Sequence, residues 1–180
     1  MHERPVAGRR GEFGAETWKN GSKIGTPGVG KNDAWATLSA DPELGLVYLP
    51  IESATNNWWG GQKPGDGLFA ESIVALDAKT GVRKWHFQIL HHGVWDYDLP
   101  SKPVMYDFPD GKGGRVPAII QTTKRGEIFV VDRRNGKPVT EVVEKPVPTK
   151  GLPGEKLSPT QPYSVGMPQI RQGDLTEQGM

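Results

Sequence analysis

Ten residues, His91-His92-Gly93-Val94-Trp95-Asp96-Tyr97-Asp98-Leu99-Pro100, hold two histidines, two aromatics and two acids and close on a proline. Asp96 and Asp98 are two apart, so an extended backbone projects both carboxylates to one face. Two carboxylates on one face repel, and one keeps its proton unless a cation lies between them. The stretch therefore asks for a metal ion or a positively charged group. Its plainer reading is a polar loop after a strand, with Trp95 and Tyr97 in the core and the acids in water. His91 and His92 are adjacent and face opposite ways in a strand, so they read as structural rather than as ligands to one metal.

The elements that must position these groups read as short strands and turns. Ala34–Ser39 is a strand, Asp41-Pro42-Glu43-Leu44-Gly45 a turn, and Leu46–Ile51 a second strand rich in β-branched and aromatic residues. A loop follows over 52–71, long enough to be functional or disordered. Trp58 and Trp59 within it argue against disorder, and either line a substrate entrance or anchor the loop. Ser72–Gln88 reads as a strand, a tight turn and a strand, with Asp77 accepting turn amides and Gly81 supplying positive φ. Ile128–Pro138 is a weaker copy, with Ala118–Thr122 as the strand before it. Asp77 and Asp132 stand 55 residues apart, as do Gly81 and Gly136. A repeat of that period with about four short strands per unit describes propeller blades. The expected fold is all-β, with about two antiparallel blades of a propeller and long loops. Closure of a propeller takes at least about four blades. Arg133 and Arg134 fall at a turn and read as solvated.

Three regions result: an irregular, glycine-rich segment over 1–32, blades over 33–145, and a proline-rich extended tail over 146–180. The chain of 180 residues has 24 Gly and 16 Pro, which favours turns over long helices. A net charge of +1 gives no electrostatic case for nucleic acid or an acidic membrane surface. There is no cysteine, hence no thiolate site or thiol nucleophile. A hydrophobic content of 35% is low for a compact domain, as expected of a chain that buries little or belongs to something larger. The first residues lack the apolar core of a signal peptide, and no apolar run approaches a membrane span.

The run Ala75-x-Asp77-x-x-Thr80-Gly81-x-x-x-Trp85 resembles the tryptophan-docking motif of quinoprotein dehydrogenases, eight-bladed propellers that use pyrroloquinoline quinone (PQQ). The ten-residue stretch resembles the active-site segment of the same family. Asn32-Asp33-Ala34-Trp35 is similar to the segment whose tryptophan stacks under the quinone. Gln121-Thr122-Thr123-Lys124-Arg125-Gly126 is similar to the segment whose basic residue reaches the quinone carbonyls. Leu44–Pro50 and Leu157–Pro162 resemble the membrane-associated glucose and quinate dehydrogenase branch. The resemblance covers most of residues 10–165.

The resemblance implies oxidation of an alcohol or sugar hydroxyl, with Asp96 as general base, Trp35 as the flat face under PQQ and Lys124 on the reduced quinone. It also implies a divalent cation as Lewis acid, Ca²⁺ ahead of a lanthanide or Mg²⁺, with Asp96, Asp98, Glu52 and Ser53 as the oxygen donors on offer. The sequence departs from the family at one place. Glu52-Ser53 stands where the family has a Gly-Asn pair that gives an asparagine to the metal, and either residue could take that role. Further expectations are a quinone or cytochrome electron acceptor and a periplasmic or periplasm-facing location. The remaining blades, or another chain, would complete the ring, and the chain alone would be inactive. The rival readings are a non-catalytic propeller scaffold, in which Asp96, Lys124 and Trp35 are incidental, and a carbohydrate-binding surface built on Trp58 and Trp59.

Overall fold

A computed structural model describes residues 13–18 and 30–170. Four strands, β1 (Ser39–Asp41), β2 (Leu46–Pro50), β3 (Ser72–Asp77) and β4 (Arg83–Gln88), form one antiparallel sheet in chain order. A second sheet holds β5 (Val104–Pro109), β6 (Arg115–Thr122) and β7 (Ile128–Asp132), and a third pairs β8 (Val142–Pro146) with β9 (Thr160–Ser164). The one helical element among the described residues is a 3-10 turn at Ala15–Thr17.

The turns form where the sequence places them. Asp41 Oδ1 accepts the amides of Glu43 and Leu44 and reverses the chain between β1 and β2. Asp77 Oδ1 accepts the amides of Lys79 and Thr80 and the Thr80 hydroxyl, and Gly81 closes that turn at φ +72°. Asp132 and Gly136, at φ +74°, repeat the device after β7. The second unit is shorter: after Gly136 the chain makes the bridge Val131–Pro138, flanked by Asp132 N to Lys137 O and Val139 N to Val130 O, both at 2.8 Å. Thr140 stands where the first unit has Trp85.

The expected strand over Ala34–Ser39 begins only at its last residue. The run before it is held differently: Glu52 N donates to Asp33 O at 2.8 Å, and the chain carries Trp35 toward the His91–Pro100 stretch instead of into the ladder. The proline-rich segment contributes β9, so the boundary drawn at 145/146 falls inside a paired hairpin. Pro162 is tolerated there because a two-stranded sheet leaves one side of each strand free of ladder bonds. Most of the 1–32 segment, and the end of the tail over 171–180, lie outside the described residues.

The core lies between the two larger sheets. Tyr48, Ile73, Trp85, Ile119, Phe129 and Leu99 are buried together, so alternate side chains of β2, β3, β6 and β7 meet on one side. A second cluster of Trp18, Ile51, Leu68, Phe69 and Val74 sits under the long loop, where the Trp18 indole donates to Leu68 O at 2.8 Å. Arg133 is not solvated as the turn position suggested. It lies 3.0 Å from the buried Asp41 carboxylate, and its carbonyl accepts both Tyr48 Oη and Trp85 Nε1. Arg134 does stay half-exposed, paired with Asp132.

Candidate functional site

The His91–Pro100 stretch runs from β4 toward β5 without entering a strand. Its ends are fixed: Leu99 is buried in the core, and Ile89 N donates to Glu71 O at 2.8 Å. Between them, His92 Nδ1 donates to Gly65 O at 2.8 Å, and Trp58 N donates to Val94 O at 2.6 Å. Asp96 is left-handed, at φ +59°, so the stretch is not the extended segment the alternation suggested. The two carboxylates converge all the same.

What they converge on is Lys124, carried on the turn between β6 and β7. Its ammonium lies 3.1 Å from Asp96 Oδ2 and 2.8 Å from Asp98 Oδ2. The cation that the acid pair demands is therefore supplied by the chain. Trp35 joins from the other side: its indole N–H donates to Asp98 Oδ2 at 3.3 Å, and Lys124 Nζ stands 6.0 Å from its ring centre. Ser53, just after β2, donates its amide to Asp98 Oδ1 at 2.9 Å and its hydroxyl to the same oxygen at 3.0 Å. Asp96, Asp98, Lys124, Trp35 and Ser53 are thus one cluster, although they span positions 35 to 124 of the sequence.

Asn57 belongs to this cluster and was not foreseen. Its amide donates to Asp96 Oδ1 at 2.7 Å. The signal was present, since Asn56-Asn57 precedes the paired tryptophans in a loop too long to be a mere connection. His91 and His92 stay outside, as expected. His91 Nε2 lies 3.0 Å from Glu144, and His92 faces Gly65. Trp59 anchors its loop through Pro153 O at 3.1 Å, whereas Trp58 is 70% exposed.

The charges follow from the geometry. Burial pushes the Asp98 carboxyl up, but the hydrogen bonds from Lys124 and Ser53 outweigh burial and hold it below its ordinary value. Burial lowers Lys124, and the two carboxylates more than reverse that, so the ammonium stays charged. Glu52 is raised, first by burial and then by the charges of Asp98, Asp33 and Asp96. Behind the stretch, Lys63 Nζ donates to Gly93 O at 2.9 Å and to Ala54 O, and the fully buried Glu71 packs on Gly93. Burial pushes Glu71 up to about 8 against the pull of Lys63, and pushes Lys63 down to about 8.

Two absent groups can be tested against these residues. Trp35 presents a 56% exposed ring beside an ammonium, a surface suited to a planar anionic molecule such as PQQ. For a divalent cation the fit is partial. Glu52 and Asp96 offer oxygens of the right kind. Among the described residues, however, no three His, Asp or Glu side chains are placed to hold a metal ion. A separate cavity of about 360 Å³ is lined by Trp95, Tyr97, Arg125, Glu127 and Tyr163, and neither Lys124 nor the two acids reach it.

Comparison with known proteins shows what the chain as a whole is similar to. Residues 7–180 match the family described as the glucose/ethanol/alcohol dehydrogenase β-propeller domain of PQQ proteins. The glycerol dehydrogenase large subunit of Gluconobacter oxydans is 42% identical over 96% of this chain and 23% of that protein. The quinate/shikimate dehydrogenase (quinone) of Acinetobacter baylyi is 43% identical over 82% of this chain and 18% of its own. Among solved structures, a quinohemoprotein alcohol dehydrogenase from Comamonas testosteroni superposes with a TM-score of 0.65 at 28% identity. That match covers 84% of this chain and 22% of that one. The chain spans about a fifth of the length of these relatives.

Proposed function

The chain belongs to the PQQ-dependent glucose/ethanol/alcohol dehydrogenase β-propeller family, and on that premise we propose that it carries one wall of the site where such an enzyme oxidises an alcohol or sugar hydroxyl. The observation that supports the reading is the convergence of Asp96, Lys124 and Trp35. A mere scaffold needs only the turns and the docked tryptophan. It has no use for an ammonium shared by two carboxylates under an open indole face.

PQQ, when bound, accepts the two electrons of the oxidation. This chain's residues bind, orient and move the proton. Trp35 offers the ring face and fixes the plane of whatever rests on it. Lys124 offers a positive charge at the edge of that face, where negative charge develops as the acceptor is reduced. Asp96 accepts the hydroxyl proton as general base, and Asn57 and Lys124 orient its two oxygens. A divalent cation, Ca²⁺ before a lanthanide or Mg²⁺, would take Glu52 and Asp96, with Ser53, as its donors and act as Lewis acid. The remaining walls, the electron acceptor (a quinone or cytochrome) and a periplasm-facing location are parts of the proposal that these residues do not themselves carry. One wall should bind PQQ more readily than it turns over substrate.

The test is PQQ binding to the purified chain, followed by quenching of tryptophan fluorescence and by the quinone absorbance. Trp35→Ala and Lys124→Met should each weaken binding by about tenfold, the scale of roughly 1.4 kcal/mol. Asp96→Asn should leave binding nearly intact. PQQ binding indifferent to Trp35 and Lys124, or absent while glycans bind through the exposed Trp58, would favour the scaffold or carbohydrate reading instead.

A further inference from the structure

Asp98 is 6% exposed and receives four donors: Ser53 N at 2.9 Å and Ser53 Oγ at 3.0 Å on Oδ1, Lys124 Nζ at 2.8 Å and Trp35 Nε1 at 3.3 Å on Oδ2. A carboxylate has about four lone-pair sites, so each is taken. The donors come from three distant parts of the chain. Asp98 is itself tied to the core through the neighbouring buried Leu99 and to the loop after β2 through the Ser53 amide.

Asp96 is different. It is the more exposed of the two acids, and its firm partners are Asn57 at 2.7 Å and Lys124 at 3.1 Å. Its side chain is 43% exposed, so a lone pair stays open to solvent. The two acids of the stretch therefore do separate work. Trp35 is more than half exposed, so its indole would swing between rotamers without the bond to Asp98. Lys124 likewise has a long, flexible side chain that only the two carboxylates place.

We propose that Asp98 is a positioning residue, whose carboxylate fixes the plane of the Trp35 indole and the place of the Lys124 ammonium, and that it is not a ligand to a divalent cation. A metal ion on Asp98 would have to displace one of four hydrogen bonds, and the nearest cationic position already holds an ammonium. The inference rests on the PQQ reading only for what Trp35 and Lys124 face, and its test contains no quinone. Failure of PQQ to bind therefore leaves it standing, and its own failure leaves PQQ binding untouched.

The experiment follows the indole N–H resonances of the ¹⁵N-labelled chain, with Trp35 assigned by its loss in Trp35→Phe. In Asp98→Asn the amide half cannot accept, so the Trp35 indole resonance should move toward the position of a free indole. Its hydrogen exchange should speed by about fivefold, the worth of one hydrogen bond, with backbone resonances away from the site unchanged. Tb³⁺, read by tryptophan-sensitised luminescence, should bind Asp98→Asn as it binds the unaltered chain, or bind neither. An unmoved Trp35 resonance overturns the proposal. So does a loss of Tb³⁺ affinity of about tenfold or more in Asp98→Asn, the mark of a lost carboxylate ligand. If Asp98→Asn does not fold, Lys124→Met decides. A shift of the Trp35 indole through the shared carboxylate supports the proposal, and its absence overturns it.

Discussion

The indole of Trp85 rests on Gly136. A Cβ at Gly136 would lie 2.5 Å from Trp85 Cε3, and the indole N–H donates to Arg133 O at 3.1 Å on the same turn. The turn of the second sheet is therefore a seat for the tryptophan of the first, and this contact joins sheets that share no strand.

Gly136→Ala and Gly81→Ala separate the two demands on the repeated glycine. Both have left-handed φ, but nothing lies within 4 Å of a Cβ at Gly81. Gly81→Ala should cost about 1 kcal/mol from backbone strain alone. Gly136→Ala adds overlap with the Trp85 ring and should cost about 3 kcal/mol. Urea unfolding of the two variants checks this, and equal losses would mean that the docking contributes nothing.

This seat was half legible in the sequence. The Asp-to-Gly spacing gave both turns, because turn chemistry is local and each residue acts on its own neighbours. The strand over 34–39 was misread because Ala, Trp and Thr suit a ladder equally well, and only the distant Asp98 shows why Trp35 leaves it. Arg133 was misread for the same reason, since its partner Asp41 lies on another sheet. In the site, the types of Asp96, Asp98, Lys124 and Trp35 could be read directly. That the cation between the acids is Lys124, and that Asn57 joins them, depends on packing across β2, β6 and the long loop. Glu52 and Ser53, placed by alignment alone, prove to differ: Ser53 is bonded to Asp98, while Glu52 feels the acids mainly through their charge.

Asp77 makes the β3–β4 turn acid-labile. The amide and hydroxyl of Thr80 lead in holding its carboxyl at about 2, below the ordinary 3.8. A depressed folded value means that the contribution is complete above about pH 4 and is lost as the pH falls toward 2. Thermal melts of Asp77→Asn between pH 5 and 2 should show a lower melting temperature at pH 5 and a shallower acid limb than the unaltered chain. Parallel limbs would show that the turn does not sense this carboxyl.

Glu71 acts with the opposite sign. Its carboxyl oxygens are buried without a hydrogen-bond partner, and burial raises it to about 8. A raised acid contributes stability that is full below about 4.5 and is lost as the pH rises through 8. Glu71→Gln keeps the neutral shape and removes that loss. It should match the unaltered chain near pH 5 and exceed it by a few degrees at pH 8, the scale of roughly 1 kcal/mol in a chain of this length. Differential scanning calorimetry across that range reads the difference, and a lower melting temperature at pH 8 would show that the ionised Glu71 stabilises the Lys63 ammonium.

Lys124→Met tests whether a divalent cation and the ammonium compete for the same oxygens. Removing the ammonium leaves Asp96 and Asp98 facing each other with Glu52 nearby, and Asp98 has little access to water. The pair is neither fully buried nor fully exposed, so the loss should be about 2 kcal/mol, between the worth of surface and buried ion pairs. Ca²⁺ can then enter the vacated position, where oxygen donors of the right kind converge. Millimolar Ca²⁺ should raise the melting temperature of Lys124→Met more than that of the unaltered chain, because a ligand stabilises only the state that binds it. Lys124→Arg keeps the positive charge and should respond to Ca²⁺ no more than the unaltered chain does. Equal Ca²⁺ responses in all three would place any cation site away from Lys124, with Glu52 as the acid left to hold it.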